Sequence, residues 1–103
     1  MEIREKYEQM IKENTIFVFM KGNPQAPMCG FSQNTCFILD LLGKKYGHYD
    51  VLQDQAMRQK VKEFSEWPTF PQIYIDGVFV GGNDILTEMY KSGELQELVK
   101  GKE

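Results

Sequence analysis

The sequence predicts an α/β domain in which helices cover both faces of a central four-stranded mixed sheet. Two observations carry this prediction. Short apolar runs at residues 16–20 and 46–52 alternate with longer amphipathic segments, as strands joined by a crossover helix do. Further along, two more apolar runs flank the dipeptide Asp76-Gly77, which is typical of a β-hairpin. A parallel pair of strands together with a hairpin gives a mixed sheet.

The composition excludes several classes of protein. With 103 residues, of which 42% are hydrophobic and 26% charged, we expect one globular domain over residues 1–103. The net charge of −3 does not indicate a basic surface for binding nucleic acid. No apolar run is long enough to cross a membrane. From the charge and the apolar runs together, we expect neither nucleic acid nor membrane as a partner.

The two cysteines are too few for a disulfide scaffold and suit an intracellular reducing compartment. Residues 1–6 (MEIREK) have neither the apolar core of a signal peptide nor the acid-poor character of a transit peptide. The cytoplasm and the mitochondrial matrix both remain open as the compartment.

The first part of the chain predicts two helices, with a strand and a loop between them. Residues 2–13 place apolar side chains at helical spacing below a charged outer face. Residues 16–20 form a buried strand, and residues 21–28 contain too much Gly and Pro for regular structure. A second helix over residues 31–42 ends at Gly43. Its expected buried stripe consists of Phe37, Ile38, Leu41 and Leu42.

The second part begins with the strand at 46–52. Asp54 then caps a helix that runs to Phe64, with Met57 and Val61 facing inward and its basic residues in solvent. The hairpin strands follow at 73–75 and 78–80, and a helical region over 85–99 is broken near Gly93. This order of elements suits a small thioredoxin-like fold.

Cys29 lies between the Gly/Pro-rich loop and the second helix, and this position predicts a reactive thiol. Unpaired N–H groups at a helix N-terminus stabilise a thiolate. The alternative, a small buried hydrophobe, fits a surface loop less well. Cys36 follows two helical turns later, about 10 Å away along the helix. That is too far for a disulfide, so we interpret Cys36 as a packed structural cysteine.

Three loops are expected to meet where strands end and helices begin: residues 21–32, 67–72 and 81–84. Each loop also has an ordinary interpretation. Residues 67–72 (WPTFPQ) form either a simple turn or a site in which a cis Pro71 exposes the Phe70 backbone to an extended peptide. Residues 81–84 (GGND) form either a capped helix start or an anion site with Asp84 beside an amine.

Taken in order, these motifs resemble those of the monothiol CGFS-type glutaredoxins, and the likeness extends from about residue 10 to residue 99. The resemblance implies a thioredoxin-like fold, a cis bond before Pro71 and a bound glutathione. It makes Cys29 both the catalytic thiolate and the iron ligand. The implied glutathione-binding residues are Lys21, Phe31, Arg58, Thr69, Phe70, Pro71, Gly82, Asn83 and Asp84.

Ser32 stands where a dithiol oxidoreductase has its second, resolving cysteine. A [2Fe-2S] cluster needs four ligands, and two chains with two glutathiones supply four sulfurs. Together with the resemblance, this predicts a cluster-bridged homodimer that delivers clusters to iron–sulfur recipient or regulatory proteins. The alternative is a glutathione-dependent oxidoreductase that acts on protein–glutathione disulfides, with an external thiol resolving the intermediate.

Overall fold

The computed structural model describes residues 2–102 and contains five α-helices and six strands. The helices are α1 (Ile3–Glu13), α2 (Gly30–Leu42), α3 (Gln55–Ser65), α4 (Asn83–Ser92) and α5 (Glu94–Leu98). The strands are β1 (Ile16–Met20), β2 (Gly22–Asn23), β3 (Ala26–Pro27), β4 (Gly47–Asp50), β5 (Gln72–Ile75) and β6 (Val78–Gly81).

Four of the strands form one mixed sheet in the order β4-β1-β5-β6. β1 is parallel to β4, with Phe17 opposite Gly47, and antiparallel to β5. β5 and β6 form the expected hairpin, whose turn residues Asp76 and Gly77 have φ angles of 53° and 77°. The fold class predicted from the sequence, a thioredoxin-like α/β fold, is therefore confirmed.

Successive side chains of β1 point to opposite faces of the sheet, and all of them are apolar. Both faces of the sheet are therefore apolar, and helices cover both. Ile16, Val18 and Met20 pack with buried residues of α2, α4 and α5. Phe17 and Phe19 pack on the other face with buried residues of α1 and α3. The central strands thus bury both faces, which leaves the sheet's end as the place for a site.

The buried stripe of α2 differs from the predicted one. Phe37 and Leu41 are 61% and 53% exposed, so the prediction that they face the core was wrong. The residues of α2 that are buried are Ser32, Thr35, Cys36, Ile38 and Leu39. Two small polar residues, Ser32 and Thr35, occupy buried positions in the first turns of this helix. A prediction from apolar side chains alone therefore placed part of the wrong side of the helix against the core.

Three element boundaries also differ. Residues 21–28 do contain regular structure, since the Asn23 side chain accepts hydrogen bonds from the N–H groups of Gln25 and Ala26 and closes the β2–β3 hairpin. The strand predicted at 46–52 ends at Asp50, whose carboxylate caps a 3₁₀ turn over Val51–Gln53. The last helical region begins at Asn83 rather than at residue 85.

The predicted helix ends are confirmed. Asp54 caps α3 by accepting a hydrogen bond from the Met57 N–H at 3.0 Å. Gly43 and Gly93 end α2 and α4 in the left-handed conformation. Among residues 2–102, no helix combines the length and apolarity required to cross a membrane.

Candidate functional site

A cavity of about 590 Å³ opens where the end of β1, the start of α2, the segment before β5 and the start of α4 meet. The three loops expected to converge do so. All ten predicted site residues line this cavity: Lys21, Cys29, Phe31, Arg58, Thr69, Phe70, Pro71, Gly82, Asn83 and Asp84. Five lining residues were not predicted: Gly30, Lys62, Trp67, Pro68 and Ile85.

Cys29 is the N-cap residue of α2, in an extended backbone conformation with φ −157° and ψ 152°. Its Sγ accepts a hydrogen bond from the Ser32 N–H at 3.4 Å. This contact takes the place of the oxygen cap that Ser, Thr or Asp gives at other helix starts. The helix therefore begins on the sulfur, and the sulfur lies at the positive end of the helix dipole.

Ser32 contacts the same sulfur with its hydroxyl. Its Oγ lies 3.5 Å from Cys29 Sγ and accepts a hydrogen bond from the Lys21 N–H at 3.2 Å. Ser32 is fully buried, so no water competes for its hydroxyl proton. With one lone pair of the hydroxyl used by Lys21, its proton is free to point at a Cys29 thiolate.

These contacts lower the pKa of the Cys29 thiol. Partial burial by itself acts the other way, since it disfavours the charged form. The Ser32 hydroxyl, the N–H groups of Ser32 and Phe31, and the positive charge of Lys21 together outweigh it. The arrangement favours a thiolate, which is the form of cysteine that attacks disulfides and binds metals.

Three cationic side chains line the cavity. Lys21 follows β1 directly, while Arg58 and Lys62 are four residues apart on α3 and so lie on one face of that helix. Arg58 and Lys62, which the sequence pattern placed in solvent, are half-buried. These groups can hold a carboxylate, Arg58 in a two-bond geometry.

The N-terminus of α4 also lines the cavity. Its N-cap is Gly82, which has no side chain, so the first N–H groups of the helix have no side-chain cap. Asp84 is exposed in the first turn. The arrangement offers N–H donors to a carboxylate and a carboxylate to an amine, as required for an α-amino acid end group.

Asn83 connects this helix start to the cysteine helix. Its Oδ1 accepts hydrogen bonds from Asn34 Nδ2 at 2.9 Å and from Thr35 Oγ1 at 3.0 Å. The carbonyl of the Asn83 side chain therefore faces α2. A ligand can meet only the remaining polar groups of Asn83, its backbone N–H and its amide nitrogen.

The segment before β5 forms a third wall of the cavity. The Phe70–Pro71 peptide bond is cis, which confirms that expectation. Phe70 and Pro71 are buried while Thr69 is exposed. The Trp67 indole nitrogen is buried and has no hydrogen-bond partner within residues 2–102. A Cβ on Gly82 would lie 3.4 Å from this nitrogen and from the Pro71 carbonyl oxygen, so helix α4 approaches the segment closely.

Cys36 lies away from the cavity lining. It is 3% exposed, and its Sγ lies 3.7 Å from Met20 Sδ in the core. Burial raises the pKa of its thiol, against a smaller opposing effect of Tyr46. Its interpretation as a packed structural cysteine is confirmed. In the described part of the chain, no three His, Cys, Asp or Glu side chains are grouped as metal ligands.

The glutaredoxin family profile matches residues 16–80, which include the strand, the loop, Cys29 and most of the sheet. The chain is 50% identical over 102 residues to monothiol glutaredoxin-5, mitochondrial, of Schizosaccharomyces pombe, covering 96% of this chain and 70% of that protein. It is 48% identical over 99 residues to an uncharacterized monothiol glutaredoxin, ycf64-like, of Synechocystis, with 96% and 92% covered.

A solved structure agrees with these relatives. The solution structure of reduced poplar apo GrxS14 is 45% identical in sequence and superposes with a TM-score of 0.84, covering 95% of this chain and 90% of the other. The likeness extends over the fold and nearly the whole length of this chain. The chain therefore belongs to the glutaredoxin family, and within it to the monothiol glutaredoxins.

Proposed function

We propose that this glutaredoxin binds glutathione in the cavity and carries a [2Fe-2S] cluster between two chains, for delivery to iron–sulfur recipient or regulatory proteins. The observation that carries the proposal is the Cys29 sulfur. Its surroundings lower the pKa of the thiol and so favour the thiolate, it lines the cavity, and no second cysteine lies in its helix turn.

The size and charge of the cavity support glutathione as its ligand. About 590 Å³ lies within the usual range of small-molecule sites, roughly 300–1,000 Å³. Glutathione is a tripeptide with a carboxylate at its glycyl end and an α-amino acid group at its γ-glutamyl end. Lys21 and Arg58 suit the first, and the α4 N-terminus with Asp84 suits the second.

Lys62 adds a third cation to the glycyl end. It shares a helix face with Arg58, so a carboxylate held there lies in a field of three positive charges. Between the two ends, the Phe70 backbone can pair with the main chain of an extended ligand. Bound in this way, the ligand places its thiol beside Cys29.

A cluster requires more sulfurs than one chain has at this site. Cys29 supplies one and a bound glutathione supplies a second, so two chains with two glutathiones complete the four ligands of [2Fe-2S]. Because glutathione is held by hydrogen bonds and charges alone, half of the cluster's ligands can leave without breaking a covalent bond to the protein. That is the behaviour required of a carrier that gives its cargo away.

The family supports the use of glutathione, since glutaredoxins are a glutathione-using family. One relative is named as mitochondrial. Both cysteines of this chain are unpaired, which suits an intracellular reducing compartment. We propose the cytoplasm or the mitochondrial matrix as its location.

The lowered pKa of Cys29 also favours a second function, the removal of glutathione from proteins. The Cys29 thiolate would attack the glutathione sulfur of a protein–glutathione disulfide, forming a Cys29–glutathione disulfide and releasing the protein thiolate. A second glutathione thiolate would then attack the glutathione sulfur, releasing oxidised glutathione and restoring Cys29. Ser32 cannot perform this second attack, which makes the reaction depend on external thiol.

Anaerobic reconstitution with iron, sulfide and glutathione separates the two functions. The carrier function predicts a visible absorption band, a chain dimer by size exclusion, and one glutathione per chain. A colourless monomer that nevertheless reduces a protein–glutathione disulfide would reject the carrier and establish the oxidoreductase.

A further inference from the structure

Gln72 is a fully buried amide at the first position of β5, directly after Pro71. A side-chain amide has two N–H donors and one carbonyl acceptor. Burying these groups without partners costs free energy, so the partners of Gln72 indicate what the residue does. An apolar side chain of similar volume would fill this position in the sheet without that cost.

Both N–H donors of the Gln72 side chain bind carbonyl oxygens of the segment that lines the cavity. Its Nε2 donates to the Trp67 carbonyl oxygen at 3.0 Å and to the Thr69 carbonyl oxygen at 3.2 Å. Its Oε1 accepts a hydrogen bond from the Tyr74 hydroxyl at 3.3 Å, and Tyr74 in turn accepts one from Tyr7 at 2.9 Å. A buried chain of hydrogen bonds thus runs from α1 along β5 to residues 67–69.

The bond to Thr69 fixes the orientation of the following N–H. Only the Phe70–Pro71 bond is cis among residues 2–102, so the Thr69–Phe70 peptide is trans. In a trans peptide the C=O and the N–H point in opposite directions. With the Thr69 carbonyl directed at the buried amide of Gln72, the Phe70 N–H is directed away from that amide.

We infer that Gln72 is a positioning residue for the glutathione site, holding the carbonyls of Trp67 and Thr69 so that the Phe70 N–H faces the ligand. The inference rests on the proposed glutathione binding, because it assigns Gln72 a role in that same site. Gln72 does not touch the ligand itself, and it acts through the peptide plane between Thr69 and Phe70.

Two variants of Gln72 test this in the full chain. Gln72→Met keeps the volume and removes both donors, and Gln72→Asn keeps an amide that is too short to span both carbonyls. Ile38→Val and Leu39→Ala, in the buried face of α2, provide a graded loss of stability away from the cavity. Two readouts are needed: the affinity for reduced glutathione by calorimetry, and the residual dipolar coupling of the Phe70 N–H, which reports the direction of that bond.

The expected result is an affinity weaker by about tenfold in a folded Gln72 variant, as for loss of one or two hydrogen bonds. The Phe70 coupling changes in the same variant while couplings in β1 stay at their wild-type values. The α2 controls bind glutathione within about twofold of wild type, even where their melting temperatures fall as far as those of the Gln72 variants.

Two outcomes overturn the inference: an unchanged Phe70 coupling in the Gln72 variants, or an equal loss of affinity in α2 controls of matched stability. A wild-type protein that does not bind glutathione would instead reject the proposed function. The Phe70 coupling then decides by itself whether Gln72 sets the direction of this N–H.

Discussion

The Sγ of Cys29 and the Oγ of Ser32 lie 3.5 Å apart, and the Ser32 N–H reaches the same sulfur at 3.4 Å. One residue therefore contacts the thiolate through both its side chain and its backbone. Ser32 takes the sequence position of a resolving cysteine, but its contacts give it a different task. It stabilises the negative charge of Cys29 and cannot form a disulfide with it.

We expect Cys29 to be alkylated at a lower pH than an ordinary cysteine, whose pKa is about 8.5. Only the thiolate reacts, so the rate rises as pH increases through the folded pKa, and the structure lowers that pKa. The measurement is the alkylation rate against pH in a Cys36→Ser background. Ser32→Ala should move the midpoint upward, since it removes the hydroxyl. A wild-type midpoint at or above that of a free cysteine peptide would contradict the electrostatic interpretation.

Cys29→Ser should abolish cluster binding, and Cys36→Ser should leave it intact. Cys36 is buried against Met20 and lies away from the cavity lining, so no cluster can reach it in the folded protein. The two variants are compared by visible absorption after identical anaerobic reconstitution. Loss of the band in Cys36→Ser alone would mean that the ligand is wrongly assigned.

Cluster stability should depend on glutathione even when no protein ligand changes. Asp84→Ala removes the proposed partner of the γ-glutamyl amine, and Lys21→Ala removes a charge from the proposed site of the glycyl end. Hydrogen bonds to charged groups contribute about 1.5–3 kcal/mol, and exposure reduces this, so each change should weaken glutathione binding roughly tenfold. The readout is cluster half-life against added glutathione, with size exclusion to follow the fall to monomers.

Glu88→Ala is the matched control for that experiment, because Glu88 is an exposed carboxylate of the same helix that does not line the cavity. Its cluster should have the wild-type half-life. Half-lives indifferent to glutathione and to both site substitutions would show that another protein group completes the cluster.

The two glycines before α4 should differ sharply in their tolerance of alanine. Gly81 has φ 147°, and a Cβ there would lie 2.6 Å from Ile85 Cδ1 and 3.0 Å from Ile85 Cβ. Gly82 has an ordinary φ of −99°, and a Cβ there would make ordinary contacts at 3.4 Å. Gly81→Ala should therefore lower the free energy of unfolding by about 1–3 kcal/mol, measured by urea titration, and Gly82→Ala by less. Equal effects would contradict this assignment of strain.

Phe37→Ser should change the free energy of unfolding by no more than about 0.5 kcal/mol, since Phe37 is 61% exposed. Leu39→Ala, two residues further along α2 and fully buried, should cost about 2–5 kcal/mol. Thermal or urea unfolding of both variants provides the comparison. A large loss in Phe37→Ser would restore the buried stripe predicted from the sequence.

The sequence by itself determined the elements whose signals are local. Apolar runs located β1 and β5, Asp76-Gly77 located the hairpin, and Asp54, Gly43 and Gly93 located helix ends, because each effect acts within a few residues of the chain. It also placed Cys29 at a helix start, since a Gly/Pro-rich loop before an amphipathic segment leaves little choice. The order of three short motifs was enough to indicate the family, and the resemblance to that family implied ten of the fifteen residues that line the cavity.

Only the tertiary structure decided which face of α2 is buried and what Ser32, Asn83 and Gln72 contact. Apolar content favoured Phe37 over Thr35 for the core, but packing against β1 and α4 selects side chains by position on the helix and by size. Lys62 lines the cavity for a similar reason, since nothing in the sequence around it distinguishes it from the other basic residues of α3. Hydrogen bonds such as those from Gln72 to Trp67 and Thr69 depend on how a segment folds back in space, which side-chain spacing along the chain does not record.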